Sequence, residues 1–442
     1  MRKIMICGCM IALLTVFLVN PTKADLIMPE KAFSLSQLDS RLSDFPASAI
    51  PYIRGLADSK HPNKLTILKH YYELALELLK NPKMDINLRG MNPQNLESWK
   101  RQMMAALEIF EANIRIVEAE MQPQEIARKI YIEMVNDESK SIRYRAEALR
   151  RLEDDPPKEV AESLPIFLPT WKEVKAGRLY MWKVHPETTL RAVRMMKKVC
   201  GKDILPLLDD WLRNFQTPNL PLMSWSVKLH DALVDLYWDL RFSGLTVEEQ
   251  IKIATEELFE WKGHGLMPRE AFIKIGKPAL PTLIELLYIP DNRINGSAEY
   301  ALAKIKDERA VEHLERIIDD PIINPTPTSK SHTIWAIGEI GGPKAVIVLK
   351  QLLKRKGEHP FVIQETLNSL GKIGDTSSEE LILPFLEHTD GNVRYCAAKA
   401  LKTCGTQKAV SFLLKRFEVE TEPGVRVAII QALKALGVQV KN

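Results

Sequence analysis

The end of a helix and the turn after it recur six times in the last two-fifths of this chain. Ala271-Phe272-Ile273-Lys274-Ile275-Gly276 comes first, then Ala301-Leu302-Ala303-Lys304-Ile305-Lys306-Asp307 and Ala336-Ile337-Gly338-Glu339-Ile340-Gly341. Ser369-Leu370-Gly371-Lys372-Ile373-Gly374-Asp375, Ala400-Leu401-Lys402-Thr403-Cys404-Gly405 and Ala432-Leu433-Lys434-Ala435-Leu436-Gly437 complete the set, at spacings of 30, 35, 33, 31 and 32 residues. The small residue lets a neighbouring helix come close, and the apolar residues one and four places later lie on one buried stripe. Glycine then ends the helix, because it takes the left-handed conformation of a helix cap without steric cost. A second apolar pattern follows each turn, as in Ala345-Val346 through Leu349, Leu352 and Leu353, or Leu413-Leu414 through Phe417. Each unit is thus two antiparallel helices, and neither buries its apolar face alone, so consecutive pairs must stack.

Two stretches give the first helix of the pair its character. They are Asn392-Val393-Arg394-Tyr395-Cys396-Ala397-Ala398-Lys399-Ala400-Leu401 and Gly424-Val425-Arg426-Val427-Ala428. With the turns above they resemble the HEAT-repeat family in its short, bacterial-type form, clearly over residues 268–442 and in degenerate form upstream. The resemblance implies an all-α chain folded as an α-α superhelix, a HEAT/armadillo-like solenoid. It says little of function, since the shared residues are packing residues. Arg394 and Arg426 recur at one repeat position, which gives them a structural role and not a ligand.

Upstream, Ser141-Ile142-Arg143-Tyr144-Arg145-Ala146-Glu147-Ala148-Leu149-Arg150-Arg151-Leu152 reads as a degenerate first helix. An apolar-Pro-apolar signal for the start of a second helix recurs at Pro51, Pro165, Pro206, Pro281 and Pro384, since proline is welcome in a helix's first turn. The longest amphipathic helix is expected between Asn92 and Met121, and Thr246-Val247-Glu248-Glu249 is a capping box for another that runs to about Trp261. Strand signals are nearly missing. Asp319 to Ser331, broken by Pro321, Pro325 and Pro327, reads as an exposed insertion.

The first residues read as a targeting segment: Arg2 and Lys3, an uncharged apolar stretch Ile4 to Val19, then Asn20-Pro21 and a small-residue site at Thr22-Lys23-Ala24. The apolar stretch is shorter than the roughly 20 residues of a spanning helix, which favours a cleaved signal peptide over residues 1–24. The alternative is an inner-membrane anchor formed by residues 4–19. Four segments follow: the leader, a helical region of divergent repeats over 25–160, a Trp-rich helical region over 161–262, and the repeat solenoid over 263–442. Without Arg2, Lys3 and Lys23 the net charge falls from +4 to +1, so the basic footprint of a nucleic-acid binder is missing. A periplasmic or extracellular location is expected. Cys200, Cys396 and Cys404 are too few for a disulfide framework and lack metal-site spacing, so they read as small core residues. The Asn295-Gly296-Ser297 sequon matters only in a eukaryotic secretory pathway, and the leader looks bacterial.

No catalytic motif, phosphate-binding glycine loop or metal-spaced histidine pair occurs, which points to a non-enzyme without cofactor or metal. Two features of the middle region invite a site. Six of the eight tryptophans lie between Trp171 and Trp261, among them Trp182, Trp211 and Trp225, and flat rings can line a groove for a glycan or peptide or fill a core. Asp231, Asp235 and Asp239 fall four apart on one helix and could bind a cation, act as an acid–base pair, or form a solvated face. The function expected is an exported scaffold or adaptor that holds a protein partner on the concave face of the solenoid, on the second helices of the repeats. The alternative is a glycan-binding or hydrolytic protein with its site at 160–262 and the repeats as an accessory.

Overall fold

The computed structural model describes residues 49–82, 92–168, 186–214, 224–261 and 267–438. The leader therefore lies outside the described residues, as does Trp182. Among the described residues the regular structure is helical, and no helix is long and apolar enough to cross a membrane. The chain is an α-solenoid. It divides into two compact units, Met1–Trp211 with Leu220–Leu236, and Leu212–Asn219 with Tyr237–Asn442.

The first unit is built on α1 (Ile50–Asp58), α2 (Lys64–Lys80), α3 (Pro93–Glu120), α4 (Gln124–Asn136), α5 (Ile142–Leu152) and α6 (Pro186–Val199). The long helix expected from Asn92 is α3, and the Asn92 Oδ1 accepts the Asn95 N–H at 2.8 Å to start it. Trp99, Met103 and Phe110 of α3 meet Ile53 and Leu56 of α1 and Leu68 and Tyr71 of α2 in one buried cluster. Glu147 of α5 is fully buried, and the Arg54 guanidinium closes on it with Nε–Oε1 at 2.8 Å. Arg145 of α5 reaches back to the Val135 carbonyl at 2.6 Å near the end of α4. Pro165 departs from expectation: it sits inside a ten-residue 3-10 helix, Lys158–Phe167, and starts no α-helix.

Next in the chain come α7 (Leu205–Asn214), α8 (Ser224–Phe242) and α9 (Val247–Glu260). The capping box expected at Thr246 is formed with Glu249 in both directions. The second unit then alternates first and second helices: α10 (Pro268–Ile275), α11 (Leu280–Leu287), α12 (Asn292–Ile305), α13 (Val311–Ile317), α14 (Pro327–Ile340) and α15 (Gly342–Lys354). It continues with α16 (Pro360–Ile373), α17 (Glu379–Ile382), α18 (Gly391–Cys404), α19 (Gln407–Val419) and α20 (Pro423–Ala435). Every small residue of the repeat is buried, from Ala271 to Ala432. Gly341 and Gly374 end α14 and α16 with φ of +70° and +78°, the conformation that glycine was expected to supply. Gly405 differs: its φ is −76°, and a side chain there would meet the Leu401 carbonyl at 2.3 Å, so room and not dihedral freedom selects glycine.

The segment before α14 is exposed as expected at Pro321, Ile322, Pro325 and Thr326, but α14 already begins at Pro327 and the middle of the segment is tied down. Ile323 and Asn324 are buried, and the Asn324 amide donates to the Ile317 carbonyl at 2.7 Å and to the Thr333 hydroxyl at 2.9 Å.

Candidate functional site

Along the second unit the two helix layers are not equivalent. Consecutive first helices α12, α14, α16, α18 and α20 lie in extensive contact, whereas consecutive second helices barely touch. The reason is side-chain size. A Cβ added to Gly338 would fall 2.3 Å from the Ser369 hydroxyl, and one added to Gly371 would fall 2.8 Å from the Ala400 Cα. Tight spacing on one side and loose spacing on the other bends a stack toward the tight side, so the first helices form the inner face. The inner face thus belongs to the first helices, where the second helices were expected.

The inner face carries a groove of about 540 Å³ across α14, α16, α18 and α20, with Trp335, Glu339, Glu365, Asn368, Tyr395 and Lys399 among its walls. Its floor is the small-residue seam of Gly338, Ser369, Gly371 and Ala400. One repeat position, that just before the small residue, supplies Tyr300, Trp335, Asn368, Lys399 and Gln431 in successive helices. Tyr300 stacks on Trp335 at 5.8 Å with an interplanar angle of 23°, and the Arg269 guanidinium covers the Tyr300 ring at 4.1 Å. Glu339 is paired with Lys372, which holds its carboxyl below the usual range against the opposing effect of burial. Glu365 sits deeper among the helices, and burial pushes its carboxyl up. A more open cleft of about 660 Å³ lies on the second helices, between the residues Leu383–Glu387 and α19, with Phe412 on its wall. It spans two repeats only.

The recurring arginines are structural. Arg394 is buried, binds both oxygens of Glu420 at 2.8 and 3.1 Å, and donates to the carbonyls of His388 and Thr389. Arg426 donates to the carbonyls of Phe417 and Glu420 and covers the Phe417 ring at 4.0 Å. Each arginine thus closes the end of the preceding segment. Cys396 and Cys404 are buried and Cys200 is half-buried; burial lifts each thiol to about 11, well away from reactivity at neutral pH.

Of the site residues proposed from sequence, Trp211 is buried among the core side chains. The side chain of Trp225 lies outside the described residues. Asp231 is exposed, with His230 Nδ1 at 3.5 Å; Asp235 pairs with Lys197 at 2.7 Å and Asp239 with Lys274 at 2.5 Å. Among the described residues no cluster of histidine, cysteine and carboxylate side chains could hold a metal ion. The groove residues Trp335, Asn368, Tyr395 and Lys399 escaped sequence reasoning, which aligned the helix ends and stopped at the small residue. The position one place earlier was the available signal for Trp335, Asn368 and Lys399, and Tyr395 lies four residues before Lys399.

The family model for HEAT repeats matches residues 355–434, which are α16 to α20 and the turns between them. This chain carries HEAT repeats. The HEAT match falls on the helices that line most of the groove. Among curated proteins, phycocyanobilin lyase subunit alpha of Nostoc sp. (strain PCC 7120 / SAG 25.82 / UTEX 2576) is 27% identical over 165 residues. That match covers 37% of this chain and 51% of the lyase subunit, so the chain spans about half the length of its curated relative. Among solved structures, an engineered protein is 16% identical with a TM-score of 0.28, covering 92% of this chain and 99% of that one. Kap121p bound to Nup53p is 12% identical with a TM-score of 0.43, covering 92% of this chain and 50% of that one.

Proposed function

We propose that this protein is an exported scaffold that holds a protein partner in the groove of its first-helix layer and acts by binding, not by catalysis. One observation carries the reading: the inner-face groove is walled by aromatic, amide and charged side chains from four successive first helices. Packing within the repeat explains Ala336, Leu370 or Leu401, which are buried, but it does not call for Tyr395, which stands 41% exposed on the groove wall. Aromatic side chains presented in a concave surface are the usual anchors of protein interfaces.

A photo-crosslinking amino acid placed at Gln431, in the groove, or at Phe412, on the second helices, tests the reading in envelope extracts. The groove position should give a discrete adduct that is lost on Trp335→Ala. Adducts from position 412 alone would move the binding surface to the second helices, and adducts from neither would remove the scaffold reading. Export rests on the composition of residues 1–24, and N-terminal sequencing tests it. A mature chain starting at Asp25 supports the cleaved leader, and a retained stretch 4–19 replaces it with an anchor.

A further inference from the structure

Charge in the groove is not balanced toward solvent. Glu339 is engaged by Lys372, and Glu365 is half-buried between the helices. Lys399 and Lys402 of α18, by contrast, are exposed on the groove wall and form no ion pair among the described residues. The charge open to an incoming chain is therefore positive at the α18 end. At the α14 end the stack of Arg269, Tyr300 and Trp335 stops at Trp335, the ring of the three that lines the groove. Between the two ends lies Asn368 on α16. Its side chain forms part of the groove wall.

We infer that the groove takes an acidic segment of the protein partner in extended conformation. An aromatic side chain of that segment lies on Trp335, and carboxylates pair with Lys399 and Lys402. This inference rests on the groove reading above and narrows it to one chemistry. Spacing supports it. Packed helix axes lie about 8–10 Å apart, so α14 and α18 stand about 16–20 Å apart. An extended chain advances about 3.3 Å per residue, so the aromatic and acidic residues of the partner are about five or six positions apart.

Fluorescence anisotropy with the full chain tests this, using a short fluorescein-labelled peptide in which one tryptophan precedes a glutamate cluster by that spacing. Two further peptides replace the glutamates by lysines or the tryptophan by glycine. The acidic peptide should bind best, lose affinity as salt is raised, and weaken about tenfold or more against Lys399→Glu/Lys402→Glu. Lys415→Glu, exposed on the second helices, should leave binding unchanged. Circular dichroism confirms that these surface variants stay folded. Equal or better binding of the lysine peptide, survival of acidic binding after the double reversal, or no binding of any peptide overturns the inference. The crosslink from position 431, which does not depend on charge, then decides separately whether the groove reading stands.

Discussion

Glu299 and Glu420 are both buried carboxyls, and their surroundings make stability depend on pH in opposite directions. Glu420 is buried, which alone would raise its pKa, but hydrogen bonds from Arg394, the Glu422 N–H and Arg416 outweigh that and hold it at about 2. Its folded value lies below its unfolded one, so its contribution is present above the ordinary carboxylate range and is lost as pH falls toward 2. Glu299 has no cation against it. Burial raises its carboxyl to about 7, opposed only by the hydrogen bond from Thr333. Its folded value lies above its unfolded one, so stability is full in mild acid and falls as pH rises from about 4.5 through 7. That shift corresponds to about 3 kcal/mol lost by pH 8. Glu299→Gln keeps the shape, removes the charge, and should stabilise the protein by on the order of 2 kcal/mol at pH 8 while changing little at pH 4. Urea melts at the two pH values check this, and equal effects at both would refute the assignment. Of the equivalent residues, Arg269 is charged but Ile334, Leu367, Ala398 and Ile430 are apolar, so the repeat register sets Glu299 apart from the four units that follow it. What it did not reveal is the partner, because Thr333 and Asn324 meet only once two helices and a turn have packed.

At the scale of the element, two glycines with the same chemistry should respond with opposite sign. Gly296 lies inside α12 with nothing within 4 Å of where a Cβ would stand. Gly296→Ala should therefore stabilise the helix by about 0.5–1 kcal/mol through helix propensity alone. Gly371 lies inside α16, and its Cβ would approach the Ala400 Cα at 2.8 Å. The nearest atom is backbone, so α16 and α18 must separate, and Gly371→Ala should cost about 1–3 kcal/mol of overpacking less the propensity gain. Thermal melts of the two variants check the pair, and a stabilising Gly371→Ala would mean that the first-helix layer is loosely packed. Helix starts and stops were legible because local side chains decide them, as at Asn92, Thr246 and Gly374. The layer that forms the inner face was not, because the close approach at Gly338 and Gly371 is a property of neighbouring repeats, not of one helix. In the segment before α14 the prolines mark exposed positions, as at Pro321 and Pro325, while the burial of Asn324 was not legible, because its bonds to Ile317 and Thr333 span the turn.

For the whole molecule the consequence of stacked repeats is that damage spreads by contact. A repeat protein's stability is close to a sum of repeat and neighbour terms, so each helix pair leans on the next. Leu401 is fully buried in α18, whose first-layer neighbours are α16 and α20. Leu401→Ala should cost about 2–5 kcal/mol, which is large against the total stability of a typical domain. Amides of α16, α18 and α20 should then exchange at least tenfold faster with solvent deuterium. The first unit has its own buried cluster of Ile53, Tyr71, Trp99 and Phe110. Amides of α2 and α3 should therefore keep their protection while the repeats around residue 401 lose theirs. Hydrogen exchange read by mass spectrometry distinguishes the outcomes, since both sets of peptides come from one digest. If α3 accelerates as much as α18, the two compact units unfold as one cooperative body and the nearest-neighbour account fails. If only α16, α18 and α20 respond, the helices that build the groove form a cooperative segment of their own, and a partner seated there would stabilise those helices first.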